Sequence, residues 1–390
     1  MRPFYALLVV AMAAAAQAPP PATPAPNAAG PVGRGGGGRG GPPAINSPEV
    51  LPDGRVVFLL RAPKATQVTL TGDLWLQQTA TEMTRNADGL WSVTVGPLAP
   101  DVYGYSFVVD GVTMSDPSNG WIQPGVRSSL RSSFRVPGQQ ESFLEVQPVP
   151  HGDVRIVYFK ADSLGGKICR MHIYFPPGYD NSKATYPVLY LIHGAGEDDS
   201  GWVDVGMANI ILDNLIAQGK AKPMLVVMPT YQRLSSSAST GTAAANYALF
   251  AKSFAQDILP FIEKNYRVIP KPEARAFGGL SPPDVVPDTL IPILDKFNYW
   301  MCTSNGLRQS RMDYYDQQYP GVLNNPANTK RVKLLMADGS NAGLTIAESR
   351  WMAAEFKRRG YDVDLWETEG SHSWPWFRRY LNELAPKMFR

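Results

Sequence analysis

The pattern of hydrophobic and polar positions divides the chain into two parts with different periods. From about Val50 to Val136, apolar residues come in short runs at close spacing: Val56-Val57-Phe58-Leu59-Leu60, Val68-Thr69-Leu70-Thr71, Leu90 to Val95 and Tyr103 to Val109. Asp110-Gly111, directly after the last run, has the residue types of a tight hairpin turn. Short strands separated by turn residues predict a β-sandwich of immunoglobulin-like size. From about Phe143 onward, continuous apolar runs alternate with helical faces. Val188 to Ile192 and Leu225 to Met228 are unbroken, as expected of central parallel strands covered on both sides. Ala208 to Gln218 places Ile211, Leu212, Leu215 and Ile216 on one helical face, and Ser253 to Asn265 does the same with Phe254, Ile258, Leu259 and Ile262. A strand from Val332 to Ala337, a helix from Ile346 to Arg359 stopped by Gly360, and a strand from Tyr361 to Glu367 complete the alternation. The expected fold class is α/β: a doubly wound, mostly parallel sheet preceded by a smaller immunoglobulin-like β-sandwich.

The ends of the pattern set the organisation. MRPFYALLVVAMAAAAQA carries one Arg, an apolar run from Phe4 to Ala16 and an Ala16-Gln17-Ala18 cleavage signature, so residues 1–18 read as a secretory signal peptide. A membrane anchor is the competing reading, but the run falls short of the ~20 residues a span requires. Residues 19–44 are dominated by Pro, Ala and Gly around GRGGGGRGG and read as a disordered tether. The sandwich is assigned to residues 45–142 and the α/β part to residues 143–390. Export makes the expected location secreted or periplasmic, with no membrane association after cleavage.

Composition narrows the function classes. The 390 residues are 44% hydrophobic and 18% charged with a formal net charge of +3, and the chain has no basic run, which argues against a nucleic-acid partner. Cys169 and Cys302 lie far apart and read as two separate buried thiols. The four histidines are too scattered for a metal site, so no metal or cofactor is expected. Oligomeric state is not legible.

Three strand ends carry candidate chemistry. Ile192-His193-Gly194-Ala195-Gly196 is a strand followed by a Gly-rich turn, with Glu197, Asp198 and Asp199 beyond it; such a turn can present a backbone N–H to a developing oxyanion. Phe277-Gly278-Gly279-Leu280-Ser281-Pro282-Pro283 approaches the Gly-x-Ser-x-Gly elbow that exposes a nucleophilic serine. Gly370-Ser371-His372-Ser373-Trp374 places a histidine, which titrates in the range useful to a general base, on a loop after the last strand. Trp202 and Trp374 flank these loops; a stacking surface for substrate and plain core packing are equally open for both. Trp75, Trp91, Tyr103 and Tyr105 of the sandwich are read as core in preference to a carbohydrate platform, and Trp121 as a contact to the α/β part.

The α/β part resembles carbohydrate esterases of the feruloyl and acetylxylan esterase type, α/β-hydrolases whose relatives include enterochelin-esterase-like proteins. The likeness is carried by Tyr174-Phe175-Pro176-Pro177-Gly178-Tyr179, Leu191 to Gly194 leading to Trp202, Asn209 to Pro229, Asp257 to Val268, Arg275 to Ser281 and Gly370 to Tyr380. The front part is similar to the N-terminal modules of glycogen-branching enzymes through Phe58 to Lys64, Gly72-Asp73, Trp91 to Pro97 and Tyr105 to Asp116. The resemblance implies Ser281 as nucleophile, His372 as base and the Ala195 N–H as an oxyanion donor, acting on an esterified carbohydrate or a small aryl or acyl ester.

The departures from that family fall on the chemistry. The residue after the serine is Pro282, which has no N–H to give to an oxyanion. Pro282, Pro283, Pro287 and Pro292 crowd the following segment, so a loop or a helix starting only near Asp288 is expected. The family's acid position is Ala342 here, which leaves Asp338 as the one nearby carboxylate and Asn341 as a weaker orienter of His372. Two functions follow: a weakened serine esterase, or a non-catalytic pseudo-esterase that binds carbohydrate.

Overall fold

A computed structural model describes residues 44–73, 80–123, 131–231, 243–280, 284–343 and 345–390. The signal-like stretch and the tether therefore lie outside the described residues, as do Trp75 and most of the loop that follows Tyr231.

The front part is two antiparallel sheets. One orders Glu49–Val50, Val56–Arg61, Leu90–Val95 and Thr84–Arg85; the other is built on Asp101–Val109, flanked by Val68–Gly72 and Arg131–Val136. Burial alternates along Val56–Arg61 because successive side chains leave opposite faces of a strand. Phe58 meets Tyr105 edge-on at 4.8 Å and Phe134 at 5.4 Å, closing the core between the sheets. Trp91, Tyr103 and Tyr105 are buried there, as their alternating positions require. Asp110 and Gly111 both adopt positive φ, and they join Asp101–Val109 to Val112–Met114. Trp121 is 39% exposed, its backbone held by Asn119 and Ser133 of its own sandwich.

The rear part is one eight-stranded sheet. In chain order its strands are β1 (Asp153–Ala161), β2 (Lys167–Phe175), β3 (Val188–Ile192), β4 (Leu225–Pro229), β5 (Arg275–Leu280), β6 (Tyr299–Thr303), β7 (Lys333–Asn341) and β8 (Asp362–Ser371). Their spatial order is β1-β2-β4-β3-β5-β6-β7-β8, antiparallel up to β4 and parallel from there on. The unbroken apolar runs have a simple cause. In β3, Val188, Tyr190 and Ile192 enter the core on one face, while Leu189 and Leu191 enter the core on the other. Helices α1 (Ala208–Ala217), α2 (Ala243–Ser253), α3 (Val285–Leu290), α4 (Gln309–Gln318), α5 (Thr345–Arg358) and α6 (Trp374–Leu384) cover the two faces. Helix α2 runs on through a π-turn at Phe254–Ile258 into Leu259–Asn265.

Helix α3 begins at Val285, three residues before the expected start. Pro287 lies in its first turn, where an N–H would have no partner inside the helix, so the ring costs nothing there. Pro292 falls in the 3-10 turn that follows, beside the non-helical Ile293. Cys169 and Cys302 are both buried and unpaired, and burial raises both thiol pKa values.

The two parts are joined by a buried ion pair. Arg378, in the middle of α6 and fully buried, donates from Nη1 to Asp101 Oδ1 at 2.7 Å and to Val102 O at 2.8 Å. Its Nε donates to Val205 O at 2.8 Å. Arg379 donates to the second oxygen of Asp101. The segment between the parts is fastened by Asn214 of α1, which donates to Phe143 O and Glu145 O. Asp213 beside it accepts from Tyr174 Oη at 2.6 Å and from Gly152 N at 2.9 Å. Removing one partner of a buried pair leaves the other charge uncompensated, so Asp101→Ala is expected to destabilise the protein by about 3–5 kcal/mol. Urea denaturation measures this, and the double variant Asp101→Ala/Arg378→Met should recover part of the loss. A single-variant loss below about 1 kcal/mol would contradict the assignment of Asp101 as the anchor.

Candidate active site

The carboxyl ends of β3, β5, β7 and β8 converge at one edge of the sheet, where an open parallel α/β sheet places its ligands. The convergence depends on glycine. A Cβ on Gly279 of β5 would lie 2.1 Å from Ile192 O of β3, so only glycine lets these two strand ends lie side by side. Thr303 Oγ1 donates to Gly279 O at 3.0 Å and fixes the β6 side of the same junction. Strand β5 extends to Leu280. Ser281, Pro282 and Pro283 lie outside the described residues; the chain resumes at Asp284, at the start of α3.

The loop after β3 carries Ala195, exposed at its crest. His193 is buried under it, stacked flat on Tyr231 at 4.3 Å with Nδ1 2.8 Å from Gly194 O. Burial pushes its pKa down to about 4, so it is a neutral structural ring at physiological pH. Glu197 closes the loop: Oε2 accepts Gly194 N–H at 3.1 Å and Oε1 accepts Trp374 Nε1–H at 2.7 Å. The next two carboxylates turn away, and Asp199 pairs with Arg170 and His172.

On the opposite side, β7 and β8 approach so closely that a Cβ on Gly339 would lie 2.0 Å from Gly370 O. This brings the His372 loop over the end of β7. His372 packs edge-on against Phe377 at 5.1 Å, and its Nδ1 is buried with no hydrogen-bond partner among the described residues. Burial lowers its pKa, and the charge of Asp338 partly opposes that shift. Asp338 is fully buried, and its carboxylate is engaged elsewhere. Oδ2 accepts from Ser349 of α5 at 2.7 Å; Oδ1 accepts from Gly339 N at 2.8 Å and from Thr345 Oγ1 at 3.3 Å. Asp338 therefore acts on His372 through its field and makes no hydrogen bond to it. Asn341 does not orient the ring either, since its amide donates to Glu369 O at 2.7 Å. The β7–β8 ladder ends with Asn341 beside Ser371, and Ala342 follows in a turn whose N–H donates to Gly339 O at 3.0 Å.

The two tryptophans considered as a stacking surface are buried instead. Trp202 is 1% and Trp374 5% exposed, the rings meet edge-on at 5.2 Å, and both N–H groups are used, that of Trp202 on Ile192 O at 3.0 Å. They pack the floor beneath the loops and offer a substrate no free face. Glu197 is the site residue that sequence reasoning did not assign. The signal for it was weak, an acid three residues beyond a turn glycine.

The fold is that of an α/β-hydrolase behind a β-sandwich. The comparisons with known proteins agree with this: residues 162–282 match the family model described as "Putative esterase", and residues 46–120 match carbohydrate-binding module 48, the isoamylase N-terminal domain. The endo-1,4-beta-xylanase/feruloyl esterase of Xylanibacter ruminicola is 29% identical over 360 residues, 89% of this chain and 46% of that protein. Endo-1,4-beta-xylanase Y of Acetivibrio thermocellus is 32% identical over 175 residues, 40% of this chain and 15% of that protein. The chain thus spans less than half the length of these curated relatives. Among solved structures, enterochelin esterase from Shigella flexneri superposes with a TM-score of 0.66 at 14% identity, covering 87% of this chain and 94% of that one. A ferulic acid esterase superposes with a TM-score of 0.52 at 21% identity, covering 61% and 97%. The chain is therefore similar to esterases, feruloyl and enterochelin esterases among them, and its front part to carbohydrate-binding module 48.

The His372 environment yields a sign that can be checked. A histidine whose charged form is disfavoured by burial stays neutral at pH 7, and the unfolded chain takes up its proton first as pH falls below about 6.5. Because Asp338 raises the His372 pKa, Asp338→Asn should move the imidazole titration to lower pH, read by NMR of the ring protons. An unchanged or higher value would show that Asp338 does not act on this ring.

Proposed function

We propose that this chain is an exported serine carboxylic-ester hydrolase acting on an esterified carbohydrate or a small aryl ester, with Ser281 as nucleophile and His372 as base. The observation that carries the reading is His372: a neutral, partly buried imidazole at the carboxyl edge of the sheet, in the field of Asp338, two residues before the Trp374 that bonds to Glu197 of the Ala195 loop. In the reaction Ser281 Oγ attacks the ester carbonyl while its proton passes to the imidazole. The tetrahedral intermediate collapses as His372 returns that proton to the departing alkoxide, leaving an acyl-enzyme. Water, deprotonated by His372, then releases the acid and restores the serine. The Ala195 N–H serves the oxyanion. Pro282 cannot add a second N–H, and the loss of one such donor typically slows turnover ~10²–10³-fold. The N-terminal 18 residues serve as the export signal, which makes the protein secreted or periplasmic.

The unpartnered Nδ1 of His372 favours a second reading, a pseudo-esterase that keeps the cleft and binds carbohydrate without turnover. No acceptor among the described residues holds the proton at Nδ1 and the lone pair at Nε2, which is the tautomer a general base needs. Hydrolysis of an aryl ester by the wild type and by Ser281→Ala separates the two readings. A rate in the wild type no higher than in Ser281→Ala would end the esterase reading. Xylan binding by both proteins would then support the second. Because the resemblance puts the family's acid at position 342, one residue beyond the Asn341–Ser371 pair, Ala342→Asp is expected to supply the missing carboxylate and raise kcat about tenfold or more in the esterase. Steady-state kinetics checks this, and no gain would mean that residue 342 does not address the ring.

A further inference from the structure

Glu197 is a partly buried acid with no part in the steps above, yet it bonds to both of the loops that perform them. Its two oxygens go to different elements: Oε2 to Gly194 N–H, within the loop that bears Ala195, and Oε1 to the indole N–H of Trp374, the first residue of α6 and two residues beyond His372. The packing around it is tight. A Cβ on Gly201 would lie 3.2 Å from Oε2, and one on Gly206 would lie 2.8 Å from the Trp374 ring.

We propose that Glu197 is a positioning residue of the hydrolytic site, a single carboxylate that fixes the oxyanion loop and the histidine loop in one frame. The proposal rests on the esterase reading above and adds to it the group that sets the relative placement of donor and base. The Trp202–Trp374 contact packs the two segments together without direction, whereas the carboxylate adds directed bonds to both, and misplacing reacting groups by about 1 Å can cost ~10²-fold in rate. A carboxylate suits the task because it accepts two N–H bonds from different directions and has no proton of its own to place.

The surroundings of Glu197 make the clamp responsive to pH. Burial pushes its pKa up to about 7, against the pull of the Gly194 and Trp374 N–H bonds. The charged groups that face it belong to the sandwich. Asp73, at the end of Val68–Gly72, raises the pKa, and Arg131 lowers it; these two are themselves paired at 2.8 Å. Asp198 and Asp199, next in the chain, turn to Arg170. Protonation below pH 7 gives one oxygen a hydrogen and leaves it a poor acceptor, so one arm of the clamp loosens on the acid side.

Glu197→Gln tests the proposal with little change in volume. The amide offers one oxygen, so one of the two N–H groups faces an NH₂ at every pH. On an aryl ester at pH 8, kcat is expected to fall about 10- to 100-fold with KM changed less than about twofold. The wild-type profile of kcat should show an acid limb near pH 7 in addition to that of His372 below 6.5, and the variant should lack the limb near 7. Arg131→Met should move that limb to higher pH and Asp73→Asn to lower pH. Equal loss at every pH with the wild-type limb retained would overturn the proposal, as would wild-type kcat in Glu197→Gln. Amide hydrogen exchange over residues 193–200, measured in Ser281→Ala with and without Glu197→Gln, is independent of turnover. Faster exchange on removing the carboxylate is expected, and unchanged exchange overturns the clamp. Should the wild type be no faster than Ser281→Ala, the esterase reading falls while the exchange experiment still decides whether Glu197 holds the loop.

Discussion

The close approach of β3 and β5 is the constraint on which the candidate site depends. Two central parallel strands lie side by side to their last residues, and the contact tolerates no side-chain carbon at Gly279. Because Ile192 pairs with Gly279, the loop bearing Ala195 leaves the sheet beside the end of β5. Gly339 plays the same part for β7 and β8 on the far side. Hydrophobic burial holds the sheet together from both faces, but it is non-directional. The placement of the strand ends relative to one another comes from these backbone contacts, and from the polar bonds of Thr303, Glu197 and Asn341 above them.

The polar residues at the site divide into those that build it and those available to act. Asp338, Asp199 and His193 are all buried and engaged with neighbours: Ser349 and Thr345, Arg170 and His172, Tyr231 and Gly194. Their burial is tolerated because each has partners, as desolvated polar groups require. His372 differs, since its Nδ1 has no partner among the described residues. Packing against Phe377 places the ring, while no polar bond among the described residues fixes its Nδ1.

Much of this was legible in the sequence, and the gaps have physical causes. Unbroken apolar runs such as Val188–Ile192 announce strands covered on both faces, and alternating runs such as Val56–Arg61 announce a half-buried sheet; both follow from the twofold period of a strand. The start of α3 was misplaced because proline was weighed as a helix breaker at a position where the first turn has no bond to lose. Trp202 and Trp374 could not be assigned from local pattern, since a ring beside a site and a ring beneath it look alike until the loops are placed. Asp338 illustrates the same limit. Its place at a strand end, near the family's acid position, marks it as a candidate, but only the fold reveals that α5 has already claimed its oxygens. Glu197 has a role that exists only between two segments separated by 177 positions.

Arg378 carries a consequence for how such chains are assembled in evolution. Helix α6 presents Trp374 to the site at one end and a fully buried guanidinium to the sandwich in its middle. An α/β half freed of its partner would expose an apolar helix face with a charge at its centre, and a sandwich freed of its partner would expose Asp101 in the same way. The two halves have therefore lost the portability usual for a binding module joined to an enzyme. Recombination that exchanged the sandwich for another would have to bring along an acid in the register of Asp101. In this chain the module is inherited as a subunit of the fold and no longer as an accessory.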